Sequence, residues 1–343
     1  MHMAIQPTSG EKPMVGITMG DPAGVGPEIV VKALASGELY DVCRPVVIGV
    51  PAFLERAASI VGARVRLNTV EAPAQGCFRP GTIDVVAPLR GGAAPPTVEF
   101  GKVQAGAGEI AYECIKLSVE LGLAKAIDAV ATAPINKESI RAAGIPFIGH
   151  TEMYTTMTGA PFALTMFTVR NLRVFFLTRH LPLIDAIRAV TKERVHEALR
   201  QIANAMADLG FSRPRIAVAG LNPHSGEGGL FGDEEVREIS PAIELARADG
   251  IDAVGPIGAD SVFHLGLEGK WDAILSLYHD QGHIATKTLD FERTISVTLG
   301  LPFLRTSVDH GTAFDIAGRG VASAVSMEEA IRVAARYSRA KRA

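Results

Sequence analysis

The chain has 343 residues, of which 48% are hydrophobic and 21% charged, a balance typical of a globular protein with ample material for buried cores. Its formal net charge is −3, so the chain lacks the excess of Lys and Arg that binding to a nucleic acid or an anionic membrane requires. Three scattered cysteines, Cys43, Cys77 and Cys114, fit neither a disulfide framework nor a metal cluster. With no secretory signal or membrane span predicted, they favour a reducing, cytoplasmic location.

Short apolar runs alternate with helical patterns along nearly the whole chain, which predicts an α/β fold. Several of the runs lack polar alternation, as expected of strands buried on both faces of a largely parallel sheet. The predicted strands are residues 15–19, 46–50, 83–87, 129–133, 174–177, 216–219, 274–277 and 296–299. The predicted helices are residues 27–35, 109–126, 192–209, 234–248 and 327–340. The composition changes nowhere abruptly, so it indicates no domain boundary.

A glycine-rich segment, residues 20–28, follows the first predicted strand. It lacks the Gly-Lys-Ser/Thr ending of a Walker loop and the spacing of the Gly-x-Gly-x-x-Gly dinucleotide fingerprint. Taken alone, the segment predicts a tight turn rather than a ligand loop.

Three of the nine histidines come directly after predicted strands: His180, His224 and His279. Because ligands bind at the carboxyl ends of strands in open α/β sheets, the three imidazoles can converge on one ion. Three histidines would leave coordination positions open, which a catalytic metal needs. Spacing alone does not establish this convergence. His196 and His264 lie within helical patterns and are interpreted as surface or packing residues.

Cationic and hydroxyl side chains also lie in loops or at strand ends, namely Lys287, Arg305 and the pair His150-Thr151. Considered singly, each of these residues is interpreted as a surface residue. Together they make an anionic small-molecule substrate plausible, because phosphates and carboxylates are bound by several such donors.

The most specific string in the chain is residues 309–320, Asp-His-Gly-Thr-Ala-Phe-Asp-Ile-Ala-Gly-Arg-Gly. It resembles the His-Gly-Ser-Ala-Pro-Asp-Ile-Ala-Gly loop with which isocitrate and isopropylmalate dehydrogenases bind the adenosine part of NAD(P). The resemblance makes His310, Gly311 and Asp315 candidate NAD-binding residues. The alternative interpretation of the segment is a glycine-rich turn that binds no ligand.

The whole chain, from residue 15 to about residue 320, resembles the 4-hydroxythreonine-4-phosphate dehydrogenase family. The matching strings are residues 17–24, 149–152, 221–224, 278–282 and 299–318. The resemblance implies a two-domain fold related to isocitrate and isopropylmalate dehydrogenases, with a cleft between the domains. We expect residues 1–135 and 300–343 in the first domain and 136–299 in the second. The resemblance also implies a homodimer with active sites near the interface.

Carried over to this chain, the family pattern makes His180, His224 and His279 the ligands of a divalent metal, with zinc first and magnesium, manganese or cobalt as alternatives. One ligand can come from the partner subunit. The pattern places His150, Thr151, Lys287, Ser296 and Arg305 in the substrate site and Asp260 and Asp280 beside the metal. Asp280 is the first candidate for the general base, and Lys137 is the second.

Two departures from the vitamin-pathway enzymes concern the substrate. Those enzymes carry an asparagine at the position of Ser296. Residues 282–285 and 288–293 look more like the family's second branch, which acts on acids such as D-threonate 4-phosphate. This substrate is favoured over 4-hydroxy-L-threonine 4-phosphate, from which it differs by a hydroxyl in place of the amine at C2.

The reaction that the resemblance implies is NAD-dependent oxidation at C3 of a 4-phosphorylated 3-hydroxy acid, followed by loss of CO2, with the metal stabilising negative charge. A metal-dependent hydrolase or aldolase using the same histidines remains an alternative, and it would have no need of the loop at His310. A phosphotransacetylase-like transferase would leave the histidines unexplained. A solute-binding protein is the least favoured reading, because such proteins are usually exported.

Overall fold

A computed structural model describes residues 11–88 and 96–342, with side chains as far as Ser338. The chain divides into two compact units. The second unit is Leu164–Leu299, and the first consists of the described residues before and after it. The sequence analysis assigned residues 136–163 to the second domain, whereas in the structure they belong to the first unit. The other expected boundary, between residues 299 and 300, coincides with a division in the structure.

Strands and helices alternate along the described chain in the order β1 (Met14–Thr18), α1 (Gly26–Ala35), β2 (Arg44–Ile48), α2 (Pro51–Val61), β3 (Arg66–Thr69), β4 (Thr82–Val86), α3 (Ala105–Leu123), β5 (Ala129–Thr132), α4 (Lys137–Ala142), α5 (His150–Thr158), β6 (Leu164–Val169), β7 (Leu172–Phe176), α6 (Leu183–Arg188), α7 (Lys192–Asp208), β8 (Ile216–Ala219), α8 (Ser240–Ala248), β9 (Ala253–Ile257), α9 (Ala259–Leu267), β10 (Ala273–Ser276), α10 (His279–Leu289), β11 (Ile295–Leu299), β12 (Leu304–Val308) and α11 (Val325–Arg342). A π-helical turn, Glu235–Ile239, leads directly into α8.

The first unit contains six parallel strands in the order β3-β4-β2-β1-β5-β12. Every residue of β1, β4, β5 and β12 is buried, since α3 and α11 pack on the sheet. Each fully buried Val or Ile contributes about 1.5–3 kcal/mol to stability, so these strands form the stable centre of the unit. Continuous apolar runs such as β1 are what a sheet covered on both faces requires.

The second unit contains the strands β11-β6-β7-β10-β8-β9. β6 pairs antiparallel with β11 and β7, while β7, β10, β8 and β9 run parallel to one another. Its apolar core includes Val174, Ala217 and Ile274 from three of the parallel strands, with Val262 of α9 packed against them. Because β7, β10 and β8 are adjacent and parallel, their carboxyl ends lie at one edge of the sheet.

The structure confirms the α/β class with a largely parallel sheet, and each of the eight predicted strands overlaps an observed one. The five predicted helices are present as well, although residues 234–248 form a π-helical turn followed by α8. None of the three cysteines forms a disulfide within the described residues. No helix in the described ranges has both the length and the apolar character needed to cross a bilayer.

Candidate active site

The three candidate metal ligands follow three neighbouring strands of the second unit. His180 comes after β7, His279 begins α10 directly after β10, and His224 comes after β8. Adjacent strands are about 4.8 Å apart, so the three loops leave the same edge of the sheet as close neighbours. The structure therefore brings together, at one end of one unit, histidines that are far apart in sequence.

Hydrogen bonds tie these strand ends to one another. Thr178 donates its Oγ1 hydroxyl to the carbonyl of Leu277 at 2.9 Å, which joins the end of β7 to the end of β10. Gln281 donates from Nε2 to the carbonyl of Gly220 at 2.7 Å, which joins β10 to β8. The same amide accepts the backbone N–H of Leu277 at 2.8 Å. Buried bonds of this kind fix the loops that carry the histidines.

His279 has a carboxylate partner on its own helix. Its Nδ1 lies 2.6 Å from Oδ1 of Asp280, and its ring centroid lies 6.2 Å from that of His180. A carboxylate that holds one ring nitrogen orients the imidazole and leaves the other nitrogen for a metal, which is the usual outer-shell arrangement of metal-binding histidines. This arrangement fits a divalent ion such as zinc.

One turn further along α10, His283 packs against the ring of His279 with centroids 4.1 Å apart. His283 is 8% exposed and also contacts Phe176 and Phe167, at 4.7 and 4.3 Å between centroids. Burial, together with the charges of His279, Lys287 and Arg179, lowers the pKa of His283 to about 4. Its buried Nδ1 has no hydrogen-bond partner within the described residues.

His224 lies in a turn whose backbone is strained. His224, Ser225 and Glu227 all have positive φ angles, of 52, 54 and 46°, a region that side chains other than glycine occupy at a cost. The buried carboxylate of Glu235 stabilises the turn, since it accepts the backbone N–H groups of Leu221 and Asn222 at 2.8 and 2.7 Å. Strain held in place by buried bonds is typical of functional loops.

Within the described residues of the single chain, no group of three or more His, Cys, Asp or Glu side chains is arranged to hold a metal ion. The structure brings His180 and His279 together and presents His224 from the neighbouring strand end. The three-histidine metal site therefore remains a prediction.

The two carboxylates expected beside the metal line the same cavity. This cavity has a volume of about 330 Å³, and its walls include Asp260 at the start of α9 and Tyr278 and Asp280 at the start of α10. Ser296 of β11 stands opposite Phe167 of β6 in the antiparallel register. Cross-strand partners point to the same face, so Ser296 lies on the face on which Phe167 contacts His283. Lys287 lies two turns along α10 from Asp280, with Nζ 5.2 Å from the Phe291 ring centroid.

A second cluster lies within the first unit around Arg305, which is 4% exposed on β12. Its guanidinium donates to the hydroxyl of Thr132 at 3.0 Å and to that of Thr151 at 3.5 Å. It also lies 5.3 Å from the Tyr154 ring centroid, and burial lowers the pKa of Arg305 to about 10. A cation held so deeply is suited to binding an anion.

His150 belongs to the same cluster, because its ring stacks on that of Tyr154 with centroids 6.4 Å apart. Burial and the nearby charge of Arg305 hold the pKa of His150 well below its usual value. Its Nε2 is buried and has no hydrogen-bond partner among the residues that the structure describes. The first unit thus gathers His150, Thr151 and Arg305, which the sequence analysis assigned to the substrate.

Lys137, the second candidate base, is exposed at the start of α4. Asn136 caps this helix by accepting the backbone N–H of Ser139 at 2.8 Å. Lys137 belongs to the first unit, whereas Asp280 belongs to the second.

The candidate NAD loop is held by the glycine-rich segment near the start of the chain. The buried carboxylate of Glu28 accepts the backbone N–H groups of Gly318 and Gly320 at 2.6 and 2.8 Å. Val25 donates its backbone N–H to the carbonyl of Thr312 at 3.0 Å. The segment at residues 20–28 therefore does more than turn the chain, because it fixes the loop carrying His310, Gly311 and Asp315. Those three residues lie at least partly open to solvent, as a nucleotide would require.

A family model described as "Pyridoxal phosphate biosynthetic protein PdxA" matches residues 41–334. The chain belongs to this family. Two relatives, from Symbiobacterium thermophilum and Halalkalibacterium halodurans, carry the provisional name D-threonate 4-phosphate dehydrogenase. They are 56% and 58% identical to this chain, and each alignment covers 96% of it and 98% of the relative. The 1.25 Å crystal structure of 4-hydroxythreonine-4-phosphate dehydrogenase from Klebsiella pneumoniae is 40% identical, with a TM-score of 0.89 over 97% of this chain and 100% of that one.

In this PdxA-family chain, several residues of the site escaped the sequence analysis. These residues interact with the candidate residues or form hydrogen bonds to the loops that carry them; they are Arg179, His283, Gln281, Glu235 and Glu28. Buried acids and amides such as Glu28 and Gln281 carry no motif of their own, since their partners are backbone groups distant in sequence.

Proposed function

We propose that the chain is an NAD- and divalent-metal-dependent dehydrogenase that oxidises D-threonate 4-phosphate at C3 and decarboxylates the product. Family membership and near-complete alignment with relatives named for this substrate carry the proposal. Ser296, in place of the asparagine of the vitamin-pathway enzymes, supports the same substrate over 4-hydroxy-L-threonine 4-phosphate.

His180, His224 and His279 would hold the metal, and the loop at His310, Gly311 and Asp315 would hold NAD. When bound, the metal supplies Lewis-acid stabilisation of negative charge on the substrate oxygens, and NAD accepts the hydride. Asp280 orients the His279 ring through the 2.6 Å contact with Nδ1. Its second oxygen is the first candidate for taking the proton of the C3 hydroxyl, and the neutral amine form of the Lys137 side chain is the second.

The substrate's anionic groups need buried cationic and hydroxyl partners. Arg305, with Thr151 at 3.5 Å, offers a guanidinium that is already oriented, and the unpartnered Nε2 of His150 offers a further contact. Lys287 provides another cation in the second unit. Pre-arranged donors of this kind bind an anion without the cost of ordering the side chains.

Competing activities fit the chain less well. A hydrolase or aldolase would not require the loop at residues 309–320, which is held by Glu28. A phosphotransacetylase-like enzyme would leave the histidines at the ends of β7, β8 and β10 without a use. The chain is further proposed to act as a homodimer in the cytoplasm, where its three cysteines would stay reduced.

The test is NADH formation from D-threonate 4-phosphate and from 4-hydroxy-L-threonine 4-phosphate, each with added zinc, magnesium or manganese, together with CO2 release. We expect NADH and CO2 in equal amounts, with D-threonate 4-phosphate preferred. His180→Ala should abolish turnover and leave the melting temperature nearly unchanged. His196→Ala is the matched control, because His196, on α7, pairs with Asp249 and plays no part in the proposed chemistry. Absence of NADH with both substrates and every metal would contradict the proposal.

A further inference from the structure

Arg179 is a half-buried cation for which the described chain provides no counter-charge. It follows β7, immediately before His180, and burial lowers its pKa. It forms no hydrogen bond or ion pair with any residue in the ranges 11–88 and 96–342. Removing a guanidinium from water without an anion costs free energy, so a buried arginine of this kind is usually paired. The missing partner is expected to be a bound molecule.

Three basic side chains, including Arg179, act on the buried ring of His283. The charge of Arg179, like those of His279 and Lys287, lowers the pKa of His283. Asp280 acts on His283 in the opposite sense, but its carboxylate is already engaged with His279 at 2.6 Å. A ligand bound beside these side chains therefore meets a positive potential, which favours additional negative charge on the ligand and opposes a cation.

Packing holds these groups on one face of the second unit. The ring of His283 stacks on Phe176, the last residue of β7, three positions before Arg179. It also contacts Phe167, which stands opposite Ser296 in the register of β6 and β11. The end of β7 is tied to β10 by the Thr178–Leu277 hydrogen bond. Arg179 thus directly precedes His180 at the end of β7, the end of the sheet at which the C2 and C3 oxygens of the substrate are expected.

We propose that Arg179 is a specificity-determining residue that selects a 2-hydroxy acid phosphate over the corresponding 2-amino acid phosphate. This inference rests on the proposed function and names the residue that decides between its two substrates. Arg179 faces the C1–C2 end of the substrate and donates to its oxygens. An ammonium group at C2, present near neutral pH in the amino acid, would be repelled by the guanidinium, whereas a hydroxyl would not.

The test compares kcat/KM for D-threonate 4-phosphate and 4-hydroxy-L-threonine 4-phosphate in the wild type, Arg179→Gln and Arg179→Lys. Glutamine removes the charge, so we expect the preference for the hydroxy acid to fall on the order of tenfold or more, chiefly through a higher KM for that substrate. Lysine retains the charge and should restore most of the preference. Arg188→Gln removes an exposed arginine of the same unit, paired with Asp185, and should leave the preference unchanged.

Calorimetric binding of both substrates, with zinc present and NAD absent, separates the two ways of failing. A wild-type enzyme that oxidises neither substrate contradicts the proposed function. A binding or kinetic preference that is the same in the wild type and in folded Arg179→Gln overturns the role of Arg179, even if the dehydrogenase activity is established. If Arg179→Gln does not fold, a preference unchanged in Arg179→Ala, or not restored by Arg179→Lys, also counts against it.

Discussion

Gly311 offers a direct test of the NAD loop at the scale of one residue. A Cβ added there would meet no atom within 4 Å, and the backbone needs no left-handed conformation. Gly311→Trp should therefore leave the fold intact and obstruct only a ligand lying over the loop. We expect the affinity for NAD, measured by calorimetry or NADH fluorescence, to fall at least about tenfold, or roughly 1.4 kcal/mol.

Glu71→Trp is the control for Gly311→Trp, because it places the same bulk at an exposed position in the same unit. It should leave NAD binding unchanged. An unaltered affinity in folded Gly311→Trp would rule out the loop at residues 309–320 as the NAD site.

His150 predicts how stability depends on pH. Because its pKa is held well below the usual value, the folded chain stays unprotonated while the unfolded chain takes up a proton as the pH falls through about 6.5. The free energy of unfolding should be insensitive to this group above that pH. Below it, His150 should lower the free energy of unfolding by at most about 1.4 kcal/mol per pH unit.

His150→Gln should therefore lose less stability than the wild type between pH 7.5 and 5.5, values that lie roughly one unit on either side of the ordinary histidine pKa. Urea unfolding at the two pH values measures the difference. His264→Gln serves as the control, since His264 is an exposed histidine on α9. Equal pH dependence in His150→Gln and the wild type would argue against a depressed pKa at His150.

Some residues of the candidate site could be predicted from the sequence, and others could not. The histidines after β7, β8 and β10 were identifiable because ligands bind at the carboxyl ends of strands in open α/β sheets. Arg179 and Glu235 were not identifiable, since an isolated arginine or glutamate in a sequence usually belongs to the surface. Their burial follows from contacts with residues distant along the chain.

At the scale of an element, the turn that presents His224 depends on the carboxylate of Glu235. Glu235→Ala would leave the N–H groups of Leu221 and Asn222 without this acceptor. The positive φ angles of the turn would no longer be compensated, so we expect the free energy of unfolding to fall by about 1–3 kcal/mol. Zinc affinity should fall as well, because the position of His224 would no longer be fixed.

Glu235→Gln keeps one carbonyl acceptor and should show a smaller loss on both measures. Glu244→Ala removes an exposed glutamate of α8, paired with Arg247, and is the matched control. Zinc titration against a chromophoric chelator and urea unfolding provide the two readouts. A Glu235→Ala variant with wild-type stability and zinc affinity would show that the turn needs no such support.

Two of the strands that the sequence analysis missed, β6 and β12, share a physical cause. β12 contains Arg305, Thr306 and Ser307, all buried, so its sequence lacks the apolar run by which the other strands were recognised. β6 likewise buries Thr165 and Thr168. In β12 the Thr306 hydroxyl donates to the carbonyl of Ala330 at 2.8 Å, a tertiary partner that a single sequence does not reveal.

At the scale of the whole molecule, the proposed homodimer should use apolar surface of the second unit. Leu183 and Ile184 of α6, which are 59% and 55% exposed, lie just after His180 in the chain. Neighbouring exposed aliphatic side chains form an apolar patch, and such a patch marks a candidate interface. The double variant Leu183→Glu with Ile184→Glu should shift the molar mass in light scattering to that of the 36.2 kDa monomer.

Leu123→Glu, at an exposed position of α3 in the first unit, should leave the assembly unchanged. A double variant that remains dimeric would exclude α6 from the interface. Lower turnover in a monomeric but folded double variant would support a site that depends on the partner subunit.

The hydrogen bonds between Glu28 and the C-terminal loop have a consequence for biosynthesis. Glu28 and Gly318 are 290 residues apart, and β5 pairs with β12 across the whole length of the second unit in the chain. During translation, residues 164–299 emerge as an uninterrupted segment and can begin to fold on the ribosome. The earlier part of the first unit must wait for β12 with one side of β5 unpaired. Aggregation of nascent chains should therefore begin at that exposed edge, and it should increase when elongation slows between residues 164 and 304.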